Sequence, residues 1–339
     1  MTAGSLMAAE LAEQPNVLGR LVKRHQTDRD QVRAVLPGRL AGTVLLARGS
    51  SDNVAVYGRY LVELASRRPA GLAAPSVHTR YQADVDYAGY LVVALSQSGA
   101  TPEIVETAAR MGRAGAVVIG ITNEAGSPLT QASDLTLLTE AGPELAVPAT
   151  KTVTAQMLAV AAIAAAYDAS LVLADDLKAL PGAVAALVAD PGPAEAVAAR
   201  WADARRLVVT GRGLAYAAAL ETALKIKESA RVHAEGLSSA DLLHGPIAAL
   251  DTRLPVLVVS GGDRFAADEA ALASRLKSEG VPYAVCGAGG DIPLPAGVPD
   301  VTAPVLATIR GQQLALASSL LRGLNPDAPA GLSKVTATH

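Results

Sequence analysis

One stretch of the chain carries residue types that could move a proton. Glu221, Lys225, Lys227 and Glu228 follow Gly213, and at 3.6 residues per turn positions 221, 225 and 228 share a helix face. A carboxylate in an enclosed place beside an ammonium can be held near the protonation state that general acid–base work requires. The same spacing also suits a solvated surface pair. The Ala- and Leu-rich surroundings favour a mostly buried helix instead. His244 stands before Gly245-Pro246, a turn at which a histidine is commonly just exposed. His233 and Glu235 read as a structural hydrogen-bonding pair, while His25, His78 and His339 lack comparable settings. Lys334 lies in a coil-like tail, and on physical grounds alone nothing distinguishes it from a solvated lysine.

A second group of residues suits an anion. Ser96-Gln97-Ser98-Gly99-Ala100-Thr101-Pro102 joins a strand to a helix, with Thr101 as N-cap and Pro102 as first helical residue. Free N–H groups and the helix dipole favour negative charge there. Three hydroxyls add neutral donors, and Gly99 lets the backbone approach closely. Ser50 and Ser51 end the neighbouring strand and could reach the same ligand. An ordinary capped helix start has the same composition. No lysine follows the glycine, so this is no nucleotide P-loop. Gly211-Arg212-Gly213 matches a dinucleotide fingerprint only in part, with Tyr216 where a small residue belongs. The second-half turn Ser260-Gly261-Gly262-Asp263 puts an acid where a phosphate would sit, so one phosphate site per chain is expected.

The elements that must position these groups alternate. Apolar runs at 44–47, 91–95, 117–121 and 135–138 end in Gly or Ser turns and lead into helical patterns, the mark of parallel α/β architecture. A similar order returns at 207–210, 255–259 and 283–286. Gly49 and Gly213 lie 164 positions apart, as do Ser96 and Ser260, while Gly115 and Gly280 lie 165 apart. These offsets predict a duplicated domain. The expected organisation is a helical leader (1–36), a first α/β domain (37–167), a helical connection (168–200), a second α/β domain (201–324) and a tail (325–339). In parallel sheets ligands collect at the strands' carboxyl ends, here 48–51 with 96–101 and 211–213 with 260–262.

Bulk properties narrow the function. The 339 residues suffice for two domains, half of them apolar but only 3% aromatic. With 29 basic and 32 acidic residues the net charge is −3, and no basic run suggests nucleic acid. Cys286 is the single cysteine, which excludes internal disulfides and cysteine zinc sites. The N-terminus has no signal-peptide pattern. The most apolar stretch, 157–167, falls well short of the ~20 residues a membrane span needs. A cytoplasmic enzyme without metal or redox cofactor is expected.

Several motifs together resemble the sugar isomerase (SIS) family, specifically the isomerase half of glucosamine-6-phosphate synthase. They are Gly49-Ser50-Ser51, Ser96–Thr101, Ala141-Gly142-Pro143-Glu144 with Thr150-Lys151, Leu220–Glu228, His233-Ala234-Glu235, His244-Gly245-Pro246 and Leu332-Ser333-Lys334. The similarity runs in one order from about residue 10 to the end. The resemblance implies two tandem flavodoxin-like, doubly wound SIS domains and a homodimer with shared active sites. It implies that Ser51, Ser96, Gln97, Ser98 and Thr101 hold a sugar phosphate and that Glu221 and Lys225 line the site. By the same resemblance Glu228 moves a proton between C1 and C2, and His244 from the partner subunit assists ring opening. Lys334 folds over the sugar and can form a Schiff base.

The departures from that family are informative. No glutaminase domain with an N-terminal cysteine is present, so glutamine is not expected as amine donor. Ala149 replaces a hydroxyl residue, Arg48 a small residue and Leu243 a lysine. The leading expectation is a glucosamine-6-phosphate deaminase that forms fructose 6-phosphate and ammonia. Alternatives are another aldose–ketose isomerase, a galactosamine-6-phosphate deaminase, a fructosamine-6-phosphate deglycase, or a non-catalytic sugar-phosphate sensor.

Overall fold

The computed structural model describes residues 2–334. Met1 and residues 335–339, the end of the expected tail, lie outside the described residues. Contact density divides the chain into two compact units. One is made of residues 16–144 and 151–178, the other of residues 2–15, 145–150 and 179–334.

The first unit is built on five parallel strands: β1 (Gly42–Leu46), β2 (Ala70–Leu72), β3 (Tyr90–Leu95), β4 (Val117–Thr122) and β5 (Leu135–Leu138). Their order is β2-β1-β3-β4-β5, with Val44 opposite Val92 and Val93 opposite Ile119. The second unit repeats the plan with β6 (Arg206–Gly211), β7 (His233–Ser238), β8 (Val256–Val259), β9 (Tyr283–Ala288) and β10 (Ile292–Leu294). Its order, β10-β9-β8-β6-β7, is the same topology read from the other edge, and every pairing is again parallel. The sequence offset is therefore a structural duplication: each half is a doubly wound sheet of flavodoxin-like order. In each, the order reverses beside the first strand, the place where doubly wound sheets hold ligands at the strands' carboxyl ends.

The central strands are apolar because helices cover both faces of the sheet. Residues 91–95 are buried without exception. The apolar stretch at 157–167 belongs to the helix Lys151–Tyr167, buried from Lys151 to Ala166. No helix among the described residues is long and apolar enough to cross a membrane.

Small residues let helices close on one another. The helix Ala215–Ala230 packs against the helix Ala303–Leu321, and a Cβ at Gly311 would come 2.0 Å from Thr222 Oγ1. Gly311 thus fixes how closely the Glu/Lys-bearing helix is held.

Three strands escaped the sequence reading, namely β2, β7 and β10. The expected His233–Glu235 pair is in fact the start of β7. Strand alternation puts both side chains on one exposed face, and no hydrogen bond joins them among the described residues.

The tail from Asn325 onward is pinned within its unit. The helix Ser5–Val35 has no acid in its first turn, and the Asp327 carboxylate supplies that charge from afar. It accepts hydrogen bonds from Leu6 N–H (3.1 Å) and Met7 N–H (2.9 Å), while the Asp327 carbonyl accepts one from Val147 N–H (3.0 Å). A carboxylate at a helix start satisfies orphan donors and the dipole together. Asp327→Ala is expected to lower stability by about 1–2 kcal/mol, read from urea unfolding. A change indistinguishable from zero would contradict this capping role.

Candidate functional site

In the first unit the loop after β3 is shaped by its own backbone. Ser96 N–H donates to the Ile121 carbonyl (3.0 Å), Asn123 N–H to Gln97 O (3.0 Å), and Leu129 N–H to Gly99 O (2.9 Å). Ser96 is buried, whereas Gln97, Ser98 and Thr101 are partly exposed. Thr101 is the N-cap of the helix Pro102–Arg113, with Pro102 opening its first turn. Its hydroxyl makes no capping bond and lies 3.4 Å from the Ser96 hydroxyl instead. The N–H groups of Ser98 and Thr101 have no acceptor among the described residues. The helix start thus keeps its donors for an external anion. Ser50 and Ser51 do not end the neighbouring strand as expected: β1 stops at Leu46, and Ser51 is buried in the first turn of the helix Ser50–Ser66.

Gly99 is required by this geometry. Its φ is +59°, and a Cβ there would lie 2.1 Å from Ser127 Oγ and 2.8 Å from Thr122 Oγ1. Gly99→Ala is expected to cost about 1–3 kcal/mol of stability through overpacking. It should also weaken binding of inorganic phosphate at this loop, read by titration calorimetry. A variant with wild-type phosphate affinity would show that the loop shape is irrelevant to anion binding.

Arg48 does not add a free positive charge to this cradle. Its Nε is 3.0 Å from Glu103 Oε2, a buried carboxylate in the first turn after the loop. Burial raises the Asp52 carboxyl above its ordinary range, and the Arg48 guanidinium opposes that rise.

The matching turn of the second unit is closed by its own acid. Glu269 accepts from Ser260 Oγ (2.8 Å) and Gly261 N–H (2.6 Å). Burial raises its carboxyl above the usual range, and these two bonds pull the other way. The sequence pointed to Asp263 as this acid. Asp263 instead opens the short turn Asp263–Phe265, and Glu269 reaches back from the helix Ala266–Ser278.

The second unit brings Glu221, Lys225 and Glu228 together. All three project from the helix Ala215–Ala230 as the spacing predicts. Lys225 is 1% exposed; its Nζ lies 3.5 Å from Glu221 Oε1 and donates to Glu228 Oε2. The Glu221 side chain is 2% exposed and that of Glu228 24%. One buried ammonium is therefore shared by an enclosed carboxylate and a half-open one. Such a charge-assisted hydrogen bond fixes the orientation of the half-open carboxylate.

His244 ends the short helix Ser239–Leu243. Its side chain is exposed and makes no hydrogen bond among the described residues. Gly245 follows at φ +128°, turning the chain into Pro246. Lys334 is partly buried, and its Nζ donates to the Ala146 carbonyl at 2.7 Å. Glu221, Lys225 and Glu228 form one connected group. The Cys286 thiol is buried in β9, which pushes its pKa up to about 12 and makes it inert. Among the described residues no three His, Cys, Asp or Glu side chains are placed to hold a metal ion.

The SIS domain model matches residues 43–166 and 201–291, one segment in each repeated half. The chain belongs to the SIS domain family. It is 33% identical to the isomerizing glutamine–fructose-6-phosphate aminotransferase of Mycobacterium leprae, over 97% of this chain and 57% of that enzyme. It therefore spans little more than half of that relative's length. A protein of Silicibacter pomeroyi described as a phosphosugar isomerase shares 33% identity and superposes with a TM-score of 0.86, covering 95% of this chain and 99% of that one. The glucosamine-6-phosphate deaminase of Thermotoga maritima has the same fold at 23% identity, with a TM-score of 0.83 over 98% and 100% of the two chains.

Proposed function

We propose that this SIS chain is a glucosamine-6-phosphate deaminase. The observation that carries the reading is Glu228, a half-open carboxylate held by the fully buried ammonium of Lys225. In this reading the hydroxyls of Ser51, Ser96, Ser98 and Thr101, with Gln97, hold the phosphate. His244, supplied by the partner subunit of a homodimer, helps open the ring. Its exposure and lack of a bond within its own chain support that assignment. Glu228 takes the proton from C2 of the open-chain amino sugar and returns it to C1, so the aldehyde becomes an alcohol and the amine an imine. Glu221 and Lys225 line the site, and Lys225 holds Glu228 in place through its hydrogen bond to Oε2. Water adds to the imine carbon and ammonia leaves, giving fructose 6-phosphate. Lys334 can carry the keto carbon as a Schiff base on the way, once its Nζ releases the Ala146 carbonyl and a proton.

The test is ammonia release from purified protein supplied with glucosamine 6-phosphate, with fructose 6-phosphate appearing in equal amount. Parallel incubations use galactosamine 6-phosphate, a fructosamine 6-phosphate and an unsubstituted ketose 6-phosphate. Ammonia from glucosamine 6-phosphate at the highest kcat/KM of the set is the expected result. Isomerisation of the unsubstituted ketose without ammonia release from either amino sugar would overturn it.

A further inference from the structure

A cavity within the second unit is lined by none of the residues of the acid–base cluster. It has a volume of about 680 Å³ and sits at the amino-terminal end of that unit's sheet, where β6, β8 and β9 begin. This is the opposite end of the strands from the turns at 212–214 and 260–262. Its wall includes Arg200, Trp201, Arg205, Arg206, Arg253 and Tyr283.

Four guanidinium groups face one lining carboxylate, Asp203, in a chain whose net charge is −3. Neighbouring acids balance them only in part. Arg200 is 3.0 Å from Asp291 Oδ1, while Arg206 and Arg253 share Asp251, each at a loose 3.7 Å. Arg205 makes no side-chain hydrogen bond or ion pair among the described residues. Arg200 also lies over the Trp201 ring, 5.5 Å from its centroid. The indole N–H of Trp201 is buried without an acceptor among the described residues. Clustered like charges are unfavourable, and a polyanion relieves them.

The size and donor set narrow the ligand class. Arginine forks match phosphate oxygens two at a time, and four forks exceed what one phosphate can occupy. The volume lies within the roughly 300–1,000 Å³ typical of small organic ligands. We propose that this cavity binds a ligand carrying two or more linked phosphates, at a place separate from the hydroxyl cradle proposed for the substrate.

Trp201 is the only tryptophan in the chain, so its emission reports on this cavity directly. The full chain is titrated with ADP, with inorganic pyrophosphate and with adenosine, following tryptophan fluorescence at near-physiological salt. Saturable changes with ADP and pyrophosphate, and none with adenosine, are expected. Arg205→Gln combined with Arg253→Gln should weaken both by about tenfold or more, equal to about 1.4 kcal/mol, with unchanged thermal unfolding since both side chains are exposed. Tighter binding of ADP than pyrophosphate identifies a nucleotide as the ligand source; equal binding identifies an inorganic polyphosphate. Absence of saturation into the millimolar range, or equal affinity in the double variant, would overturn the proposal.

Discussion

Glu228→Gln is expected to slow ammonia release from glucosamine 6-phosphate by about 10²–10⁴-fold, the usual contribution of a positioned general base. The substitution preserves shape and leaves Lys225 a hydrogen-bond acceptor, since the amide oxygen can stand where Oε2 accepts from Nζ. What it removes is the capacity to bind a proton at that atom. KM should therefore stay within a few-fold of wild type while kcat falls, the pattern of an interaction made only in the transition state. Solvent deuterium gives a second reading. Wild-type protein in heavy water should place deuterium at C1 of the ketose, and the variant should lose that exchange in step with turnover. Near-normal kcat in the variant, with exchange retained, would remove Glu228 from the chemistry.

The role given to Glu228 came from the resemblance to the SIS family, whereas its grouping with Glu221 and Lys225 could be read from the sequence because it is local. Residues 221, 225 and 228 occupy one helix, and helical periodicity alone brings them together. Six of the strands that were legible, β1, β3, β4, β6, β8 and β9, lie inside the sheets and read as apolar runs, since both their faces are covered; the seventh, β5, is an edge strand legible from its run Leu135-Thr136-Leu137-Leu138. The three that were missed are all edge strands. β2 has only three residues, β10 is Ile292-Pro293-Leu294, and β7 begins His233-Ala234-Glu235 with alternate residues exposed. An edge has one partner and often one open face, so its residues need not advertise a strand.

Long-range polar stitching was equally invisible. Glu10 accepts from Leu145 N–H and from Ala146 N–H, the latter at 3.1 Å, and Gln312 Nε2 donates to the Thr150 carbonyl at 3.1 Å. These bonds hold segment 145–150, whose Ala146 carbonyl receives Lys334. Periodicity encodes nothing about partners separated by more than a hundred residues. The plugging of the second-half turn by Glu269 rather than Asp263 has the same origin. A carboxylate a turn into a helix can reach back to a loop that precedes it, and only the fold shows which one does.

Lys225→Met is expected to destabilise the chain by about 3–5 kcal/mol, the range for removing one partner of a buried ion pair. Glu221, at 2% exposure, would be left with its charge enclosed, and Glu228 would add a like charge on the same face. The loss should be mostly repaired by adding Glu221→Gln. A neutral pair avoids the desolvation that the lone carboxylate suffers, and exchanging buried ions for uncharged groups is often close to neutral. Urea unfolding of the two single variants and the double variant measures this coupling; a Lys225→Met protein within about 1 kcal/mol of wild type would contradict a buried pair. Activity should part company with stability in the double variant, which is expected to fold yet remain slow. The reason lies in the geometry of the cluster. Lys225 Nζ donates to Glu228 Oε2 and so fixes where that carboxylate stands. Removing the ammonium and the inner acid together restores the fold but leaves Glu228 without the donor that orients it.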